Sequence, residues 1–479
     1  MRRRDVRKWL RIWATAGLIV GVSHAALAAT FTVDSTDDKV DAKPGDGKCA
    51  TDVGTCTLRA AIQEANETGG GLINLNPGTY VLTIPPDNAL PLAATGDLDV
   101  YGELTISGGG ADKTIIDGGG IDRVFALQVA SRVSISDVTI RNGKALPGDD
   151  GGGIWNYGNL TLENVTVSGN KTRVDASLSA DAPGGGIFNA ATLQLRNCKI
   201  VGNTAADMGG GIHNKGIMTV LESTIADNTA ATDRGGGVSN FNTATIVLST
   251  IRGNQATASG GGVENGGKLV LTHSAVTGNT AQNGGAIHNV GNLDLTDATI
   301  ANNTARQRGG GIHNEASSDT LKGALKINGV TIAGNTAGEG LGGTPAGGGI
   351  ANHKPATTKI ANSLIAGNRD MGGQAPDCLG KLLSAGYNLV QRPAGCKIRG
   401  TDTANITDKD PQLGPLANNG GPTQTMALHA GSPAIDAGNP AKPGSGKGAC
   451  EVTDQRGNPR GTNGAGKAVC DLGAFEYSK

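Results

Sequence analysis

Aromatic side chains are scarce, with Phe, Trp and Tyr together making up 3% of the 479 residues. Compact cores lean on such rings, so a string of ordinary globular cores is excluded although the length would allow one. Charged residues are few as well, at 17%, while Ile, Val and Leu recur with strict spacing, which excludes a disordered chain. Glycine is abundant, at 78 residues, but not at every third position, which excludes collagen. No GxSxG, HExxH, P-loop, or GxGxxG leading into a helix is present. The glycine triplets that do occur have no helix behind them and recur too often to be phosphate loops. Beyond the N-terminus no apolar run reaches the roughly 18 residues that a membrane helix needs.

The first 28 residues read as a secretion signal. Arg2, Arg3, Arg4, Arg7, Lys8 and Arg11 precede an apolar run from Ile12 to Val22, and Ala26-Leu27-Ala28 fits a cleavage site. The apolar run is too short for a stable span, so cleavage and no remaining membrane span are expected. Cleavage leaves 35 basic against 41 acidic side chains, a net charge of −6. Such a surface has no electrostatic reason to bind nucleic acid or anionic lipid.

From Gly151 to Asn368 one pattern is written eight times. Its first half runs GGGIWN at 151, GGGIFN at 184, GGGIHN at 209, GGGVSN at 235, GGGVEN at 260, GGAIHN at 284, GGGIHN at 309 and GGGIAN at 347. Its second half has the form LxLxxxxIxxNTA, as in Leu293 to Ala305, and the central period is 24 to 26 residues. Apolar positions differ by two, the period of a strand, and helical spacing is absent. The longer consensus of leucine-rich repeats does not fit. The prediction is an all-β, right-handed parallel β-helix of about a dozen coils.

Stacking the copies places Asn203, Asn228, Asn254, Asn279, Asn303 and Asn335 in one column, extended by Asn170 and Asn368. A second runs from Asn156 to Asn352. Amides about 4.8 Å apart can bond up and down a stack, so both columns read as structural. The glycines supply sharp corners. Cys198 falls in a column of small inward residues and is expected to be a buried free thiol.

A solenoid needs covered ends. Leu58, Ala61, Ile62 and Ala65 share one helical face, stopped by Gly69-Gly70-Gly71, which predicts a short capping helix. Past residue 370 the repeat gives way to Pro, Gly and Asp turns. The expected organisation is a leader over 1–28, an N-terminal cap over 29–71, the β-helix over 72–370 and an irregular C-terminal cap over 371–479. Six cysteines fall into sequence-local pairs, Cys49 with Cys56, Cys378 with Cys396 and Cys450 with Cys470. No C-x-x-C pair supports a metal reading, so disulfides in an oxidising compartment are expected, with connectivity resting on proximity alone.

The stretch around Cys56, Leu58 and Arg59 resembles the CSLREA module of exported bacterial proteins, with Thr57 in place of Ser and Ala60 in place of Glu. The C-terminal region resembles the choice-of-anchor Q domain. It carries DPQLGPLANNGGPTQT from Asp410, SPAIDAG from Ser432, TDQRG from Thr453 and CDLGAFEY from Cys470. Together with the repeats, the resemblance covers nearly all of the chain after the leader. It implies a secreted or cell-surface location and implies no reaction. Only Ser478 and Lys479 follow Tyr477, so no covalent anchor signal is expected.

Three sets of residues are candidates for function. The first is an acidic corner: Asp207 and Asp233 two residues ahead of their glycines, Asp181 and Asp149-Asp150 on preceding coils, and Arg234 beside them. Such a cluster would serve a polysaccharide lyase or hydrolase, with Ca²⁺ as the cation it would take; otherwise it is a solvated edge. No His or Lys completes it, and the NTD, GHG and RIK tripeptides of polygalacturonase-like enzymes are absent. The second is the outward position x of GGGIxN, where Trp155, Phe188 and His213 would form a sugar-stacking strip. The third lies further along that row, where Glu264, His288 and His313 sit close enough for a transition metal. Against the metal stands the plain reading that an exposed strand position accepts many residue types, and against the strip that the rings simply lie beneath the insertion Lys171 to Pro183. His353 and His429 stand alone in the pattern. The leading expectation is a non-catalytic β-helix for adhesion, structure or contact with a polysaccharide or cell-surface glycan, without a cofactor.

Overall fold

The computed structural model describes residues 29–87, 89, 93–173, 181–317, 323–338, 342–446, 448–461 and 469–478. The leader and most of the insertion before Gly184 lie outside the described residues. The chain is a parallel β-helix. Its sheets have 24, 13 and 7 parallel strands, and the largest holds two ladders, because each coil lays two strands into it. The 13-stranded sheet, one strand to a coil, bears out the estimate of about a dozen coils.

The coil beginning at Gly284 shows the plan. Its strands are Ile287–Asn289, Asn292–Thr296, Thr299–Ala301 and Thr304–Ala305. Each pairs in parallel with its equivalents above and below, and Leu271 faces Leu295, which faces Ile327. Inward residues form unbroken aliphatic columns, such as Ile287, Ile312 and Ile350, all fully buried. Each such side chain contributes on the order of 1.5–3 kcal/mol when removed from water. At Gly285 a Cβ would press into the carbonyl oxygen of Gly310 on the next coil, so the tight corner leaves no room for a side chain.

Both asparagine columns are ladders. Asn203 Nδ2 donates to Asn228 Oδ1 at 3.0 Å, Asn228 to Asn254 at 2.9 Å and Asn254 to Asn279 at 3.0 Å. The last rung runs from Asn368 to the carboxylate of Asp377 at 3.0 Å. A third ladder was not foreseen. In the small inward column Ser223, Ser249 and Ser274 each accept the backbone N–H of the preceding coil at 3.0–3.1 Å. Cys198 begins that column as a buried free thiol, held up at about 11 by burial.

The predicted helix spans Leu58–Thr68. Thr57 caps its N-terminus and Gly69, at φ 85°, its C-terminus. It covers the open end of the first coils with Leu58, Ala61, Ile62 and Ala65. Arg59 is buried in a salt bridge to Asp38 at 2.6 Å, and its guanidinium also donates to the carbonyls of Ala93 and Gly96. The three disulfides join the sequence-local pairs, Cys49 to Cys56, Cys378 to Cys396 and Cys450 to Cys470.

The stack runs further than its sequence pattern. Strands Cys378–Ala385 and Cys396–Thr401 continue the largest sheet, and Ile406–Thr407 continues the second, well past residue 370. The segment after them does more than close the end, because it returns along the flank of the solenoid. Thr423 donates to the His273 carbonyl at 3.3 Å, Thr299 to Gln455 at 2.6 Å and the Ala474 amide to Thr331 at 3.0 Å. Gly473 bonds the Asn362 carbonyl at 2.9 Å. Arg460 pairs with Asp297 at 2.6 Å, both side chains fully buried. This strap lies on one corner of four consecutive coils, at His273, Asp297, Gly329 and Asn362, all at positive φ. On the preceding coils the same corner, at Asn197 and Glu222, is exposed.

Two measurements check this account. Asn254→Ala takes the acceptor from the buried backbone and side-chain amides of Asn228 on the preceding coil and should cost about 1–3 kcal/mol per orphaned group in denaturant unfolding. Arg460→Ala strands the Asp297 carboxylate and should destabilise by about 3–5 kcal/mol, with new proteolytic cleavage confined to the region after residue 408. Unchanged proteolysis would count against the strap.

Candidate functional site

The x position of GGGIxN points away from the aliphatic core, as expected, yet it is not exposed. Phe188, His213, Ser239, Glu264, His288, His313 and Ala351 are all buried, and Trp155 is half-buried. Two things bury them. Neighbouring coils cover each side chain above and below, at about one strand spacing. On several coils the residue after the Asn adds lateral cover to a neighbouring coil's side chain, as Lys215 does over Phe188, Phe241 beside His213 and Glu315 beside His288.

At the N-terminal half of the row these covering residues complete an aromatic stack. The Trp155 and Tyr157 ring centroids are 4.2 Å apart, Tyr157 and Phe188 6.0 Å, Phe188 and His213 5.5 Å, and His213 and Phe241 5.6 Å. Arg123 lies 5.5 Å from the Trp155 centroid and Lys215 lies 5.4 Å from that of Phe188. The rings open to solvent are Tyr157 and Phe241, which the sequence pattern did not single out, whereas Phe188 and His213 lie beneath. Burial, then Lys215, pushes His213 down to about 3, so its ring is neutral.

The acidic corner runs beside this stack. Arg123 pairs with Asp97 at 2.7 Å and approaches Asp149 at 3.7 Å. Burial, followed by Asp233 and Asp181, raises Asp207 to about 6, and one of its oxygens is buried without a hydrogen-bond partner. Asp181 is exposed. Arg234 is held by Asp233 at 3.0 Å and reaches Glu264 at 3.7 Å, so it is not a free base.

Through Arg234 the acidic corner meets the second half of the row. Glu264 accepts from Ser259 at 3.0 Å and pairs with His288 Nδ1 at 2.7 Å. His288 Nε2 meets Glu315 at 2.8 Å, and Glu315 lies 3.6 Å from His313 Nε2. His313 and His353 stand edge to face with centroids 5.1 Å apart. Glu264, expected as a ligand beside His288 and His313, thus stands behind His288, and the third group beside the two imidazoles is Glu315. His353 is not isolated: it occupies the same position on its coil as Glu315 does one coil earlier, which aligning the residue after each Asn would have revealed.

Burial alone would lower His288, but Glu264 and Glu315 outweigh it and raise it to about 9. The hydrogen bond from His288 holds Glu315 down at about 2. Burial lowers His313 to about 3.

No family model and no curated protein matches the chain. Among solved structures, the crystal structure of pectate lyase Pel9A aligns over 93% of this chain and 98% of its own, at 14% identity and a TM-score of 0.42. The reading of the row therefore rests on its own residues. Among the described residues no helix is long and apolar enough to cross a membrane.

The His288 pairing makes a signed prediction. Because its folded-state pKa lies above the unfolded value of about 6.5, its stabilisation is complete below that pH and fades as pH rises through about 9. In chelator-containing buffer, the denaturation midpoint should fall between those values, and Glu264→Gln should flatten that fall. An equal slope in the variant would refute the pairing.

Proposed function

We propose that the protein is an exported, non-catalytic β-helix that lays a neutral glycan along the aromatic row. The observation that carries this reading is the continuous stack of Trp155, Tyr157, Phe188, His213 and Phe241 across four coils, with rings open at Tyr157 and Phe241. Sugar rings pack on such faces, while flanking polar groups fix their orientation. The bordering carboxylates of Asp149, Asp150, Asp181, Asp207 and Asp233 favour hydroxyl-rich chains over polyuronates, whose own charge they repel. The CSLREA-like and choice-of-anchor Q-like stretches and the 28-residue leader support an extracellular setting, as do three disulfides.

A second reading keeps the acidic corner as a polysaccharide lyase or hydrolase site. It is favoured by the buried, unpartnered oxygen of Asp207, whose raised proton affinity suits general acid–base work.

A glycan array probed with the intact protein and with Tyr157→Ala and Phe241→Ala separates the two. Stacking predicts binding to neutral glycans that weakens about tenfold with each ring removed, on the order of 1.4 kcal/mol, and no release of oligosaccharide. Oligosaccharide release that disappears in Asp207→Ala would replace the first reading with the second.

A further inference from the structure

The second half of the row brings together more nitrogen and oxygen donors than the protein itself uses. His288 and His313 occupy the same position on adjacent coils, paired in register. Glu315 follows His313 by two residues, just past the end of the strand Ile312–Asn314. One donor atom from each of these three side chains lies within 4.8 Å of the others. We propose that His288, His313 and Glu315 bind one divalent transition metal of the zinc type, with Glu264 as the group that orients His288.

Three observations carry this. First, both ring nitrogens of His313 are buried without a hydrogen-bond partner. With 3% of its side chain exposed, that arrangement forfeits about 1–3 kcal/mol unless something fills the space beside it. Second, His288 presents Nε2 to the same point, while its Nδ1 is held by Glu264 at 2.7 Å. A carboxylate on the far nitrogen fixes the tautomer and strengthens the near one as a ligand, and is the usual partner of a metal-bound histidine. Third, two imidazoles and one carboxylate form a borderline donor set that suits Zn²⁺, Co²⁺ or Ni²⁺ better than Ca²⁺ or Mg²⁺. Such a set leaves a fourth coordination position for water.

The charges allow it. Glu264 and Glu315 supply two negative charges. Arg234, 3.7 Å from Glu264, and Arg308, whose field reaches His313 and His353, oppose a cation only in part. The His288–Glu315 contact of 2.8 Å is the bond that a metal would replace, since a shared ion separates its ligands only slightly more than a hydrogen bond does.

The test uses the intact chain, stripped with a chelator and titrated with Zn²⁺ against a chromophoric competitor, with Co²⁺ absorption reporting the coordination. One equivalent should bind with tetrahedral cobalt bands. Glu315→Gln and His313→Ala should each lose it, Glu264→Gln should keep one site with affinity lower by about 10–100-fold, and His429→Ala, at an exposed histidine, should match the parent. Glu315 is 37% exposed, so its variant preserves the fold even where His313→Ala does not, as the β-sheet circular dichroism would verify. Failure of the parent to take up a saturable equivalent overturns the proposal. So does undiminished binding in Glu315→Gln.

Discussion

Each side chain of the repeating coils must be compatible with its equivalent one strand spacing above and another below, most often a residue of the same kind. Aliphatic groups meet that condition by packing. Asparagine meets it because its amide carries a donor and an acceptor on opposite sides, so a column of identical residues satisfies itself. Serine manages the same with one hydroxyl and a backbone amide. Aspartate cannot, which is why it terminates the ladder: Asp377 accepts from Asn368 and from the Arg392 amide and has nothing to donate.

Where the self-similar rule is broken, the breaks compensate one another. Like charges directly opposite are unfavourable, and beside the outward row Asp233, Arg234, Glu264, His288 and Glu315 form a chain of alternating partners that crosses three coil boundaries. The aromatic half follows the same logic with quadrupoles, since offset and tilted rings suit the coil spacing. One row thus carries two chemistries in sequence, apolar faces first and nitrogen and oxygen donors after, both presented by strands and the tight turns directly after them.

The columns were legible in the sequence because the repeat is short and its register strict: aligning on GGGIxN places Leu271 over Leu295 without any three-dimensional information. The burial of the x position was not legible. It depends on the neighbouring coils and, where that residue is large, on the residue after Asn, whose identity varies from Tyr157 to Lys215 to Gly266 to Glu315, so no repeated letter marks it. The strap was invisible for a different reason. Arg460 and Asp297 are 163 residues apart and belong to no shared period. Its contacts fall on the corner where the repeat is least conserved from coil to coil.

That corner has a mechanical side. A plain solenoid holds together by nearest-neighbour terms and frays one coil at a time from either end. The strap staples four coils together, because its contacts at His273, Asp297, Thr331 and Asn362 cannot open independently. Fraying that begins at the N-terminal end therefore meets a clutch near residue 273. Beyond it the remaining coils let go as a block or not at all, and the whole His288–Glu315 cluster sits on the protected side.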